Sequence, residues 1–255
     1  MGHLDADLVD EDGQALRRDC PTLTSYGLTV IFQVIASLDF RLWSADATTA
    51  FMQGGHHNRK HRLFLRPPRE GFPGLVPGQL MELHVLVYGF ADAPRRWWRR
   101  FRQAALDAGY LQCSLDIAVF VAYAGGRLVA IAGVHVDDVV GGDDGKKGAE
   151  YRKKLEDAFV WGDWSYNEIG FCGRRVRRIA GGRVTVDQTV FASQLKPPVV
   201  PRHRAVTPDA VLTAEETSTH RSGIGSMRWL GGPPNTASNG PYTFGKLGQL
   251  HRFIC

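Results

Sequence analysis

Ile131-Ala-Gly-Val-His-Val-Asp137-Asp138-Val-Val-Gly141 decides the fold. Two adjacent carboxylates stand between two apolar runs rich in β-branched residues. Runs of this kind, bounded by turn formers, read as paired strands, so the two carboxylates fall at the tip of a hairpin. Asp also favours plain turns, because its side chain caps local backbone groups. The alternative is a divalent-cation site, since Mg²⁺ usually takes one or two carboxylates plus substrate phosphates. A third carboxylate, a nucleotide pocket and a basic track elsewhere in the chain would favour the second reading.

Working outward, Ile117 to Tyr123 and Arg127 to Val136 form a preceding hairpin around Ala124-Gly125-Gly126. Gly141 to Gly148 reads as a Gly/Asp/Lys loop. Glu150 to Phe159 reads as a short helix with Tyr151, Leu155 and Phe159 inward. Asn167 to Ile179 and Arg183 to Val186 form another hairpin across Gly181-Gly182. Its Arg174, Arg175, Arg177 and Arg178 make a basic patch. Gln188 to Leu195 and Glu215 to Leu230 have helical patterns; from Gly231 onward the composition is that of a loop.

Toward the N-terminus, Leu28, Ile31, Phe32 and Ile35 recur at helical spacing within Ser25 to Leu38. Arg41-Leu-Trp-Ser-Ala-Asp46 alternates like a strand that ends in a carboxylate. His57 and His61 are four apart in the polar loop Gly54 to His61. Its glycines and the lack of a nearby Cys or carboxylate ligand argue against zinc. Leu63 to Leu65 and Leu80 to Val87 read as strands around a Pro/Gly-rich loop. In Tyr88-Gly-Phe-Ala-Asp-Ala-Pro94, Gly89 permits close backbone approach, Asp92 is placed to cap a helix and Pro94 sits in its first turn. That helix, running to Ala108, carries Arg95, Arg96, Arg99, Arg100 and Arg102 around Trp97, Trp98, Phe101 and Ala105. The arginines read either as a solvated charged face or as phosphate contacts, and the lack of an acidic i+4 partner before Asp107 favours phosphate.

The totals permit this chemistry. A chain of 255 residues can bury a sizeable core, and a net charge of +5 suits a polyanionic partner. Cys20, Cys113, Cys172 and Cys255 are widely spaced, which argues against a disulfide framework or a zinc site and fits a reducing, intracellular compartment such as the cytoplasm. No apolar run approaches the roughly 20 residues of a membrane span, and no targeting signal is recognisable. Asp5, Asp7, Asp10, Glu11 and Asp12 do not follow calcium-loop spacing. With no core-forming element before Pro21, the chain reads as starting mid-domain.

Asp46-Ala-Thr-Thr-Ala-Phe51, Tyr88-Gly89 through Ala93-Pro94 with Trp97-Trp98, Val136-Asp137-Asp138 and Phe171-Cys-Gly173, in this order, resemble the reverse transcriptase of copia-type LTR retrotransposons. The resemblance covers roughly residues 20–230 and implies an α+β, right-hand polymerase architecture: fingers, and a palm of antiparallel sheet backed by helices. The domain organisation expected is a loosely ordered lead-in over 1–20, fingers and palm over 21–200, the start of a thumb or connection region over 201–230, and an irregular, divergent tail over 231–255. By resemblance, Asp46, Asp137 and Asp138 are the catalytic carboxylates and bind two Mg²⁺ ions, with Mn²⁺ as a substitute. Ala47, Phe51, Tyr88 and Gly89 contact the incoming nucleotide, with Phe51 excluding a 2′-OH. Phe171 and Gly173 belong to a primer grip. Together with Arg174 and the helix arginines Arg95, Arg96 and Arg99, they are the expected nucleic-acid contacts.

The implied partners are an RNA template–DNA primer duplex, dNTPs and other Pol or Gag products. Basic triphosphate-binding residues are expected upstream of Met1 and an RNase H domain downstream. Gly231-Gly-Pro-Pro departs from the family pattern, as does His135 where relatives carry an aromatic or apolar residue. The rival expectations are a non-catalytic nucleic-acid-binding remnant of a Pol protein and a basic α+β protein with an unrelated role.

Overall fold

The computed structural model describes residues 8–76, 78–196, 211–231 and 242–244. It is mixed α and β, and every strand pair among these residues is antiparallel. The chain runs α1 (Ser25–Leu38), β1 (Arg41–Asp46), a 3₁₀ turn (Ala50–Gly54), β2 (Leu63–Leu65), β3 (Met81–Leu83), α2 (Ala93–Asp107), β4 (Leu111–Gln112), β5 (Val119–Ala124), β6 (Arg127–His135), β7 (Asp138–Asp143), α3 (Lys147–Asp157), β8 (Ser165–Tyr166), β9 (Glu168–Phe171), β10 (Arg174–Ile179), β11 (Arg183–Asp187), α4 (Thr189–Gln194), α5 (Ala214–Gly231) and β12 (Tyr242–Phe244).

The main sheet has the order β4-β5-β6-β7-β1-β8. Its centre is buried on both faces, which explains the long apolar runs of β5 to β7. A Cβ on Gly133 or Gly142 would strike Ile31 or Ile35, so that face lies under α1. The row Phe120, Ala132, Gly141 and Trp43 crosses the opposite face, where the Phe101 ring of α2 meets Phe120 at 5.8 Å and Phe159 at 6.0 Å. Thr24 caps α1 by accepting from the Gly27 N–H at 3.0 Å, while Asp39 ends the helix in the left-handed conformation. The second sheet, β12-β11-β10-β9, contributes Ile169, Phe171, Val176, Val184 and Val186 to the same core.

Several expectations need correction. Gly141 and Gly142 lie inside β7, not in a loop; a Cβ on Gly141 would stand 2.4 Å from the Ile131 carbonyl oxygen and 2.5 Å from the Trp43 ring. Of the expected strand Leu80 to Val87, Met81–Leu83 pairs with β2 and Val85 adds a single bridge to His56. Asp92 makes no side-chain cap and instead pairs with Arg59 and Arg96. The expected irregular tail contributes Tyr242–Phe244 as an edge strand on β11, and its remaining residues from 232 on lie outside the described ones. In the lead-in, residues 1–7 also lie outside, but Asp10 caps a turn and bridges to Arg59.

Candidate functional site

The β6–β7 hairpin closes through the two-residue turn Val136-Asp137, and β1 pairs with β7 on its other side. Register then sets a row of three side chains on the α1 face of the sheet: His135 opposite Asp138, and Asp138 opposite Asp46. Directly opposed residues in antiparallel strands hold their Cβ atoms about 4.5–5.5 Å apart. Asp137 lies beside this row, and its carbonyl accepts from the Ala47 N–H at 2.9 Å, which locks the end of β1 to the turn.

The carboxylates feel one another. Burial, then the charge of Asp137, holds the Asp46 carboxyl above its ordinary range. Burial, then Asp137 and Asp46, does the same to Asp138, with His135 acting in the opposite direction. Among the described residues, none forms an ion pair with these three. Like charges left together with no Lys or Arg to pair them are a poor arrangement for a structural turn and a good one for a divalent cation. Among the described residues no group of three or more His, Cys, Asp or Glu side chains meets as a ready-made metal cage. Two carboxylate ligands, completed by oxygens from a substrate, are the set that this hard-oxygen cluster fits.

Trp97 sets the turn from below: its Nε1–H donates to the Val136 carbonyl at 2.6 Å. Gly162 donates its N–H to the Asp46 carbonyl at 2.8 Å, and Trp161 bridges to Ala47, fixing the strand end from the other side. None of these three contacts was legible from sequence; a buried Trp needs a partner for its N–H, which is the one available signal.

The Phe51 ring, on the 3₁₀ turn, packs against Tyr88 with centroids 4.5 Å apart at 38°. The exposed Tyr88 phenol is shifted upward by burial, then by Asp137 and Asp46, which places this pair at the rim of the acidic cluster. Gly89 follows with φ 103°, a conformation that favours glycine. Ala47 is buried and offers backbone only. The turn Cys172-Gly173 borders the cluster too. Burial, then Asp138, pushes the Cys172 thiol up to about 11. Phe171 is a buried core ring and has no surface to offer a ligand. Gly173 faces Trp229 of α5, and the Arg174 guanidinium lies over that indole at 5.6 Å.

The basic surfaces are more internally paired than the sequence suggests. Arg95 binds Asp19 at 3.0 Å, and Arg96 binds Asp92 at 3.2 Å and the His56 carbonyl at 2.9 Å. Arg175 and Arg177 clamp Asp187, and Arg178 holds Asp39. Arg99 is exposed, with no ion-pair partner among the described residues, and lines a depression of about 470 Å³ with Gly54, Asn58, Arg96, Arg100 and Arg102.

No family model matches the chain. It is similar to part of the retrovirus-related Pol polyproteins from transposons RE2 and RE1 of Arabidopsis thaliana, at 25% and 26% identity over 124 residues, or 47% of this chain and 8% of each relative. Similarity to the retrovirus-related Pol polyprotein from transposon TNT 1-94 of Nicotiana tabacum is 28% over 130 residues, 49% of this chain and 9% of that protein. The chain therefore matches less than a tenth of the length of these relatives. No helix among the described residues is long and apolar enough to cross a membrane.

Proposed function

We propose that this chain is the reverse transcriptase region of a retrotransposon Pol protein, an RNA-directed DNA polymerase joining dNTPs to a primer 3′-OH. The observation that carries the reading is the row of Asp46 opposite Asp138 with Asp137 beside it, three carboxylates with no Lys or Arg ion pair among the described residues. On this reading β6, β7 and β1 are the palm, the segment from the 3₁₀ turn to β3 belongs to the fingers, and α5 begins the thumb.

Asp46 and Asp137 would hold the metal, with Asp138 adding charge from the next position. When bound, Mg²⁺ would acidify the attacking hydroxyl and neutralise the leaving pyrophosphate. The chain's own contribution is alignment. The Val136 turn, fixed by Trp97, sets the carboxylates, and Tyr88-Gly89 offers a flat wall for the nascent pair. Phe51, packed on Tyr88, would exclude a 2′-OH with its ring. Arg99 and the depression around it are open to backbone phosphates.

Primer extension on an RNA template with Mg²⁺ or Mn²⁺ tests the reading. Extension is expected from the unaltered chain and should fall at least a hundredfold in Asp137→Asn. Phe51→Val should admit ribonucleotides. Salt-sensitive binding of primer–template without extension by the unaltered chain would reduce the function to that of a nucleic-acid-binding remnant.

A further inference from the structure

Lys60-His-Arg62-Leu-Phe64-Leu-Arg66-Pro-Pro-Arg69-Glu-Gly-Phe72 interleaves cations with aromatics along β2 and the loop after it. Lys60, Arg66 and Arg69 are exposed, and none has an ion-pair partner among the described residues. Phe64 and Phe72, eight residues apart in one surface segment, are 51% and 54% exposed. The Arg62 guanidinium lies 5.2 Å over the Phe64 ring and is itself held by Glu82 across the hairpin, its Nε 2.6 Å from that carboxylate. One face of Phe64 is thereby fixed, while half of the residue stays open to solvent.

The base of this hairpin is tied to the candidate site. The His57 N–H donates to the His84 carbonyl at 3.1 Å, and the His57 ring contacts the Leu83 carbonyl through Nε2 at 2.8 Å. Arg59, buried, pairs with Asp92 beside the start of α2. Tyr88 is only five positions after Leu83, so the end of β3 lies within about 18 Å of the Phe51–Tyr88 wall. Exposed rings, free cations and a rigid base next to the pocket suit a strand whose bases are unstacked. Base–aromatic stacking is tolerant of sequence, and unpaired cations follow the backbone phosphates. A protein partner would be met by the apolar residues alone and would leave the cations without a role.

We propose that the β2–β3 hairpin is a platform for single-stranded nucleic acid, on which bases stack against Phe64 and Phe72 while Lys60, Arg66 and Arg69 track phosphates. This rests on the polymerase reading only for its purpose, the path of the unpaired template ahead of the pocket. Binding is measured without catalysis, so the two fail separately.

The test is fluorescence anisotropy of the full chain with labelled 20-nucleotide oligo(dT), an unstructured RNA of equal length and a blunt duplex. Phe64→Ala/Phe72→Ala should weaken binding of both single strands at least tenfold and that of the duplex less than twofold. Arg66→Gln/Arg69→Gln should flatten the slope of log affinity against log salt by about 1.4. Phe64→Trp should retain affinity and Phe64→Leu should not, since stacking needs a π-face. Affinity unchanged in the double Phe variant, equal losses on duplex and single strand, or full affinity in Phe64→Leu would each overturn the proposal. Asp137→Asn should bind the single strands normally, and its loss of extension speaks only to the polymerase reading.

Discussion

Val136 has a φ of 60°, and Asp137, the other residue of the turn, does not share the positive sign. A β-branched side chain in that region carries steric strain of about 1–2 kcal/mol. Such a turn is normally opened by glycine. The strain is held in place by Trp97, whose indole N–H grips the Val136 carbonyl. Val136→Gly should therefore raise stability, by about 0.5–1 kcal/mol once the larger chain entropy of glycine is set against the relieved strain. Urea denaturation measures it, and a loss of stability would show that the turn is not strained. Trp97→Phe keeps the packing but leaves the carbonyl without its donor. It should cost about 1 kcal/mol and lower kcat for extension more than KM for dNTP, as expected of a positioning residue. An unchanged kcat would remove Trp97 from that role.

At the scale of elements, β7 works because two of its residues have no side chain. The Trp43 ring lies across Gly141, and Gly142 is covered by Ile35. An Ala at 142 meets side-chain carbons of Ile35 and Phe40, whereas one at 141 meets the backbone oxygen of Ile131 as well as the Trp43 ring. Gly141→Ala should destabilise by about 2–3 kcal/mol and Gly142→Ala by less, an order that thermal denaturation can check. These glycines also mark where sequence reading stops. Alternation and helical spacing gave Ser25–Leu38, Arg41–Asp46 and Leu63–Leu65 with the observed bounds, because each is decided by its own pattern of apolar residues. Glycine signals a turn by default, so Gly141-Gly142 read as loop until Trp43, a hundred residues away in sequence, was seen to need the space. Distance also hid two of the arginine partners, Asp19 for Arg95 and Asp39 for Arg178, whereas Asp187 meets Arg175 and Arg177 across the β10–β11 hairpin, through a register that the sequence does not fix. Of the candidate site, the identities of the three carboxylates were readable and their register was not.

For the molecule as a whole, the charge balance is divided. The chain carries +5 overall, yet its acidic cluster has no Lys or Arg ion-pair partner among the described residues. Asp46 and Asp138 have their carboxyls raised above the ordinary value of 3.8, by burial first and by neighbouring charge second. A carboxyl raised in the folded state binds more protons there than in the unfolded chain. These two groups therefore favour the fold on the acid side, and that contribution fades as pH rises through the window above 3.8. A divalent cation acts oppositely, because it needs the deprotonated form and binds only the assembled cluster. The Tm gained on adding Mg²⁺ should thus be small at acid pH and grow as the pH rises through the window above 3.8. At ten times the dissociation constant, the gain at the upper end of that window should be about 1.4 kcal/mol, or about 3–6 °C for a chain of this size. Asp138→Asn should raise the Tm of the metal-free protein at neutral pH by removing one repelling charge, and should shrink the Mg²⁺ increment at the same time. Opposite signs for those two effects in one variant separate an ion-binding cluster from a structural one. A purely structural cluster would lose stability on substitution and show no dependence on Mg²⁺ at either pH.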